Sequence, residues 1–167
     1  KTPIASFYAN LMAFDGYYEK KWFPYTMPIS DIYGLRAAFN LIAEDATLYE
    51  RHARIGSATR AAVKEAGLKL HLQSGFSNTV TVFDIPQCTD AKSILDTMRT
   101  KYNIMLAGSF DELSGKVIRI GHMGENARLE HMVPTLEALS ATLTELGVTL
   151  KGNLADLFLK YYRKKEA

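Results

Sequence analysis

Ser114-Gly115-Lys116-Val117-Ile118-Arg119-Ile120-Gly121 is the stretch on which the fold turns. Lys116 to Gly121 reads as a short strand. Its alternation puts Val117 and Arg119 on one face and Ile118 and Ile120 on the other. Arginine is almost never fully buried without a partner, and its planar fork of donors matches a carboxylate or a phosphate. Two readings stay open for Arg119. One is a structural pair with Asp111, Glu112 or Glu125, or a strand-edge side chain reaching solvent; the other is a binding residue awaiting an anion.

Working outward, Ile104 to Ala107 is a second short strand. Gly108 to Gly115 is long for a hairpin connection, which makes it either a glycine-hinged lid or an ordinary loop. Further upstream, Leu68 to Leu72 alternates as a half-buried strand, and Thr79 to Ile85 follows as another, ended by Pro86. Helical spacing predicts helices over 30–46, 48–66 and 90–102, with Gly67 as a C-terminal stop and Asp90 near a cap. The face Ile32, Leu35, Phe39 and Ile42 is expected inside, as are Ile94, Leu95 and Met98. Glu50, Arg51, Arg54, Arg60, Lys64 and Glu65 read as a solvated face. Downstream, Asn126 is placed to cap a helix to Leu146, in which Pro134 should produce a kink or a late start. A last amphipathic helix runs from Asn153 to about Lys165, its basic end suiting the helix dipole. From residue 48 the order is helix, two strands, helix, two strands, helix. That order builds an α+β (α/β) sandwich, a few-stranded sheet covered by helices on one face.

The chain has 167 residues, 20 basic against 18 acidic, with 47% apolar residues. These values describe a globular protein and exclude wholesale disorder; the charge balance advertises no nucleic-acid surface. No run has the roughly 18 apolar residues of a membrane span, so no membrane partner is expected. The single cysteine, Cys88, makes no internal disulfide and no multi-cysteine metal site, which points to a reducing, cytoplasmic setting. Eight of the eighteen aromatic residues fall within the first 25 positions. Such crowding belongs either in a locally packed core or in an interface. Lys1-Thr2-Pro3-Ile4 reads as a loop cut from something longer.

Of the remaining chemistry-bearing residues, Thr26 offers a hydroxyl close to a helix start, where it serves as a cap or meets an anion. His52, His71, His122 and His131 have no metal-ligand spacing; His122 alone lies near a possible site. Gly121-His122-Met123-Gly124 has neither the Walker nor the dinucleotide pattern. Unaided, these residues describe an anion-binding α+β module.

The chain resembles the C-terminal part of class V aminotransferases, in the alanine–glyoxylate and serine–pyruvate branch. The likeness rests on Ser6-Phe7-Tyr8, Thr26-Met27-Pro28, Tyr33-Gly34-Leu35-Arg36, Leu41-Ile42-Ala43-Glu44 and Thr79-Val80-Thr81-Val82, and above all on Ser114 to Gly121. It runs from about residue 5 to 147. The resemblance implies a homodimeric pyridoxal 5'-phosphate enzyme of fold type I. That enzyme moves an amino group from alanine or serine to glyoxylate or pyruvate. In it, Arg119 would grip the substrate's α-carboxylate, and Thr26 would touch the cofactor phosphate in the neighbouring subunit's site. Residues 1–46 would be the end of the large domain and a connecting helix, 47–150 the small domain, and 151–167 a tail helix. The family's Schiff-base lysine would precede residue 1, so no catalytic residue is expected within this chain and the chain alone should not transaminate. Where the family often has a second phosphate-holding Tyr or His, this sequence reads Trp22-Phe23-Pro24-Tyr25. The other reading is a non-catalytic carboxylate-binding or regulatory module.

Overall fold

The opening aromatics pack chiefly on one another. Tyr25 stacks edge-on against Phe7 and Phe14, at 5.4 and 5.6 Å between ring centroids, and Phe14 meets Phe23 at 5.5 Å. The hydroxyl of Tyr25 donates to the Phe7 carbonyl, and a 3-10 turn (Leu11–Phe14) and a one-turn helix α1 (Tyr17–Lys20) fill the space between. These are observations on a computed structural model, which describes residues 4–164. Lys1-Thr2-Pro3 and Lys165 lie outside the described residues. The chain divides into two units, one up to Ala46 and one from Thr47 onward.

In the first unit, α2 (Ile29–Glu44) has the length its spacing predicts, and it buries no residue. The face expected inside is open instead: Leu35 is 57% and Phe39 61% exposed. Amphipathic spacing marks a face that needs cover; among the described residues of this unit nothing covers it.

In the second unit, strands β1 (Val80–Asp84) and β2 (Val117–Gly121) run antiparallel, with Val82 opposite Arg119 and Phe83 opposite Ile118. The expected strands at 68–72 and 104–107 shrink to single bridges, Leu70 to Phe83 and Ala107 to Arg119. On one side, Asp84 N–H donates to the Lys69 carbonyl at 2.8 Å and His71 N–H to that of Val82 at 3.0 Å. There the added segment stops, because Leu72 turns out to solvent. The hydrogen-bonded order is thus 70, β1, β2, 107.

One face of the sheet carries Thr81, Phe83, Ile118 and Ile120, all buried. Helices α3 (Leu48–Glu65), α4 (Ala91–Tyr102), α5 (Leu129–Glu145) and α6 (Leu154–Arg163) complete the core with Ile55, Ile94, Met98, Leu136, Leu139 and Phe158. The α+β reading holds. Local chemistry explains the helix ends. Asp90 accepts from Ser93 N–H at 2.9 Å, Asn153 accepts from Ala155 N–H at 2.8 Å, and Gly67 takes φ +89° after α3.

Two expectations are corrected. Helix α5 starts after Arg128 rather than Asn126, which closes a 3-10 turn (Gly124–Asn126) instead. Pro134 lies inside α5, six residues in, where it removes a single ladder bond near the terminus. The charged face of α3 is also more than solvated. Arg54 donates to the Tyr162 carbonyl at 2.8 Å, Glu65 pairs with Lys160 at 2.7 Å, and Arg60 donates to the Ser77 carbonyl at 3.0 Å. Among the described residues, no helix is long and apolar enough to cross a membrane.

Candidate functional site

The outward face of the sheet carries Arg119. Its backbone exchanges hydrogen bonds with Ala107, at 2.7 Å for its own N–H and 3.3 Å for the return bond. Its Nε donates to the Gly108 carbonyl, and its guanidinium carbon lies 5.3 Å from the centre of the Phe110 ring. None of the acids weighed for it is its partner in the structure. Glu125 is taken by Arg128 at 2.7 Å, while among the described residues Asp111 and Glu112 make no ion pair with Arg119. Among the described residues, the two terminal nitrogens of Arg119 have no hydrogen-bond partner.

Arg119 lies in the wall of a cleft of about 670 Å³ lined also by Val80, Leu106 and Met123, with Glu130 and His131 from the start of α5. A half-buried guanidinium beside apolar side chains has lost part of its hydration, so an acid reaching it meets a charge that water screens weakly. This arrangement can bind a small carboxylate and fix its orientation by two parallel hydrogen bonds.

The loop after Gly108 has more structure than a plain connection. Asp111 adopts φ +47°, in the left-handed region uncommon for residues other than glycine, and opens a 3-10 turn (Asp111–Leu113). Sequence reading missed Phe110 and the Gly108 carbonyl. The only available signal was an apolar ring in a loop otherwise made of small and acidic residues.

His122 does not belong to the cleft. It is fully buried on the core side, where Thr81 Oγ–H donates to Nε2 at 2.9 Å and Nδ1–H donates to the Asn78 carbonyl at 3.1 Å. Burial pushes its pKa down to about 4, so the ring is neutral and structural. His52 is likewise engaged: Nδ1–H donates to the Leu48 carbonyl at 2.7 Å, and Nε2 accepts from Gly124 N–H at 3.0 Å.

Thr26 stands in the first unit, exposed, two residues before Pro28, which occupies the N-cap of α2 without a side-chain cap bond. The capping alternative therefore does not describe it. Its hydroxyl has no partner among the described residues, so an exposed donor stands beside a helix start whose dipole favours negative charge.

No protein-family model matches the chain. Over 130 residues it is 38% identical to serine–glyoxylate aminotransferase of Arabidopsis thaliana, a match covering 75% of this chain and 32% of that protein. The crystal structure of ureidoglycine–glyoxylate aminotransferase from Bacillus subtilis aligns with a TM-score of 0.87 at 31% identity, covering 98% of this chain and 43% of that one. For alanine–glyoxylate aminotransferase from Nostoc sp. the TM-score is 0.76 at 31% identity, with coverages of 86% and 39%. The chain thus spans about a third of the curated relative's length and about two fifths of the solved chains.

Proposed function

The chain corresponds to the C-terminal part of a class V aminotransferase, and on that premise we propose that it supplies the substrate clamp of a pyridoxal-phosphate enzyme. That enzyme transfers an amino group from a small amino acid, alanine or serine, to a small 2-oxo acid, glyoxylate or pyruvate. The observation that carries this reading is the unpaired end of the Arg119 guanidinium in the cleft.

Each residue's part follows from its chemistry. Arg119 takes the α-carboxylate common to the amino acid and the oxo acid, so one clamp serves both directions of the exchange. Holding the carboxylate by two bonds fixes the α-carbon relative to the reacting groups, which lowers the entropic cost of reaching the transition state. Thr26 holds an oxygen of the cofactor phosphate. Its unpartnered hydroxyl and the uncapped start of α2 suit that anion. When bound, pyridoxal phosphate supplies the electron sink that lets the α-carbon release its proton. No catalytic residue is assigned in this chain. The working unit is a homodimer in the cytoplasm. Two observations support these assignments: the uncovered apolar face of α2, and the single free cysteine, Cys88.

The test is kinetic. In the cofactor-loaded enzyme carrying this chain, Arg119→Ala and Arg119→Lys should lower kcat/KM for the amino donor on the order of a hundredfold, since both remove the paired fork. A loss of only a few-fold in both variants overturns the clamp.

A further inference from the structure

Three attachments tie Arg119 to Ala107 and the first residues of the loop that follows it. Ala107 pairs with its backbone, the Gly108 carbonyl accepts from Nε, and Phe110 lays its ring against the guanidinium at 5.3 Å. Two of the three act on the side chain, and each removes a freedom. An arginine meets a carboxylate with two parallel bonds in one of two ways, through Nε and one terminal nitrogen or through both terminal nitrogens. The Gly108 carbonyl already occupies Nε and leaves only the end-on pair.

Phe110 is 72% exposed, and its recorded ring contact is with Arg119. A cation within about 6 Å of an aromatic centroid is attracted to the ring face. The ring's place is set from the backbone. Asp111 turns the chain at φ +47° directly after it, and Leu113 N–H closes the turn on the Phe110 carbonyl at 3.1 Å. The neighbouring acids Asp111 and Glu112 form no pair with the guanidinium, so the loop presents a ring to Arg119 and leaves its charge for a ligand.

We propose that Phe110 is a positioning residue for Arg119, which with the Gly108 carbonyl restricts the arginine to an end-on clamp that takes a small carboxylate through its two terminal nitrogens. This rests on the carboxylate-clamp reading above. It goes beyond it by assigning the geometry of the clamp and the loop that enforces it.

The experiment follows the Arg119 side-chain Nε–H resonance of the 167-residue chain by NMR while glyoxylate is added. The proteins compared are wild type, Phe110→Tyr, Phe110→Leu, Phe110→Ala and Arg119→Ala. Because Phe110 is largely exposed, its variants keep the core intact. In the wild type, glyoxylate should bind while the Nε–H keeps its bond to Gly108, with little change in shift or exchange. Affinity should fall about two- to fivefold in Phe110→Leu and Phe110→Ala, and Phe110→Tyr should restore it because its ring face is retained. Phe110→Leu binding as tightly as wild type overturns the inference while the clamp stands, provided Arg119→Ala abolishes binding. An Nε–H that leaves Gly108 for the ligand overturns the end-on geometry. No response from the wild type removes the clamp reading, and this inference with it.

Discussion

His122 Nε2 lies 2.9 Å from Thr81 Oγ1 across the two central strands, and burial keeps the ring neutral there. Folding lowers the imidazole pKa from 6.5 to about 4, chiefly through burial. Above pH 6.5 both folded and unfolded states are neutral and the histidine adds no pH dependence. As the pH falls from 6.5 toward 4, the unfolded chain takes up a proton that the folded chain refuses. Stability therefore drops through that window, by about 3 kcal/mol in total. Urea midpoints measured at pH 7 and pH 4.5 should differ, and His122→Gln should flatten that difference. An unchanged pH slope in the variant contradicts the assignment.

The last helix is part of the core of the second unit, and this predicts a contrast in stability. Phe158 is fully buried, whereas Lys160 pairs with Glu65 at 2.7 Å at the surface. Phe158→Ala should cost about 3–5 kcal/mol by leaving a cavity. Lys160→Ala should cost far less, because an exposed pair gains little over its hydration. Chemical denaturation of the two variants checks the order.

The uncovered face of α2 bears on assembly. Substituting Leu35→Glu together with Phe39→Glu places two charges where wild type shows apolar side chains 57% and 61% exposed. Sedimentation of the enzyme carrying this chain should find a dimer in wild type and a dissociation constant raised at least about tenfold in the variant. A wild-type monomer at micromolar concentration would sink the homodimer assignment.

Thr26 is expected to act through its hydroxyl alone. Thr26→Ser should hold the cofactor nearly as tightly as wild type, and Thr26→Ala should weaken it on the order of tenfold, as loss of a hydrogen bond to a charged group implies. Equilibrium dialysis of pyridoxal phosphate distinguishes them. Equal affinity in all three proteins counts against the phosphate contact.

The residues that made this fold readable carry local signals. Asp90, Asn153 and Gly67 mark helix ends by chemistry that needs no tertiary partner, and the alternation of 117–120 separates the sheet's two faces at Arg119. Period-two spacing at 68–72 and 104–107 reports which face a residue takes, not how many ladder bonds form, so two expected strands became bridges. Periodicity in α2 likewise reports an apolar face and is silent on what covers it. His122 follows a strand of the site but turns to the core, a consequence of its contacts with Thr81 and Asn78. The Gly108 carbonyl escaped notice for a simple reason: every residue has one, and only the folded loop selects which meets an arginine.

The central claim is that Arg119 receives the substrate's carboxylate, and a crystal structure of the enzyme carrying this chain, soaked with glyoxylate, tests it most directly. The account predicts both carboxylate oxygens at about 3 Å from the two terminal nitrogens of Arg119, with Nε still on Gly108. Glyoxylate bound elsewhere, with those nitrogens facing only water, would contradict it.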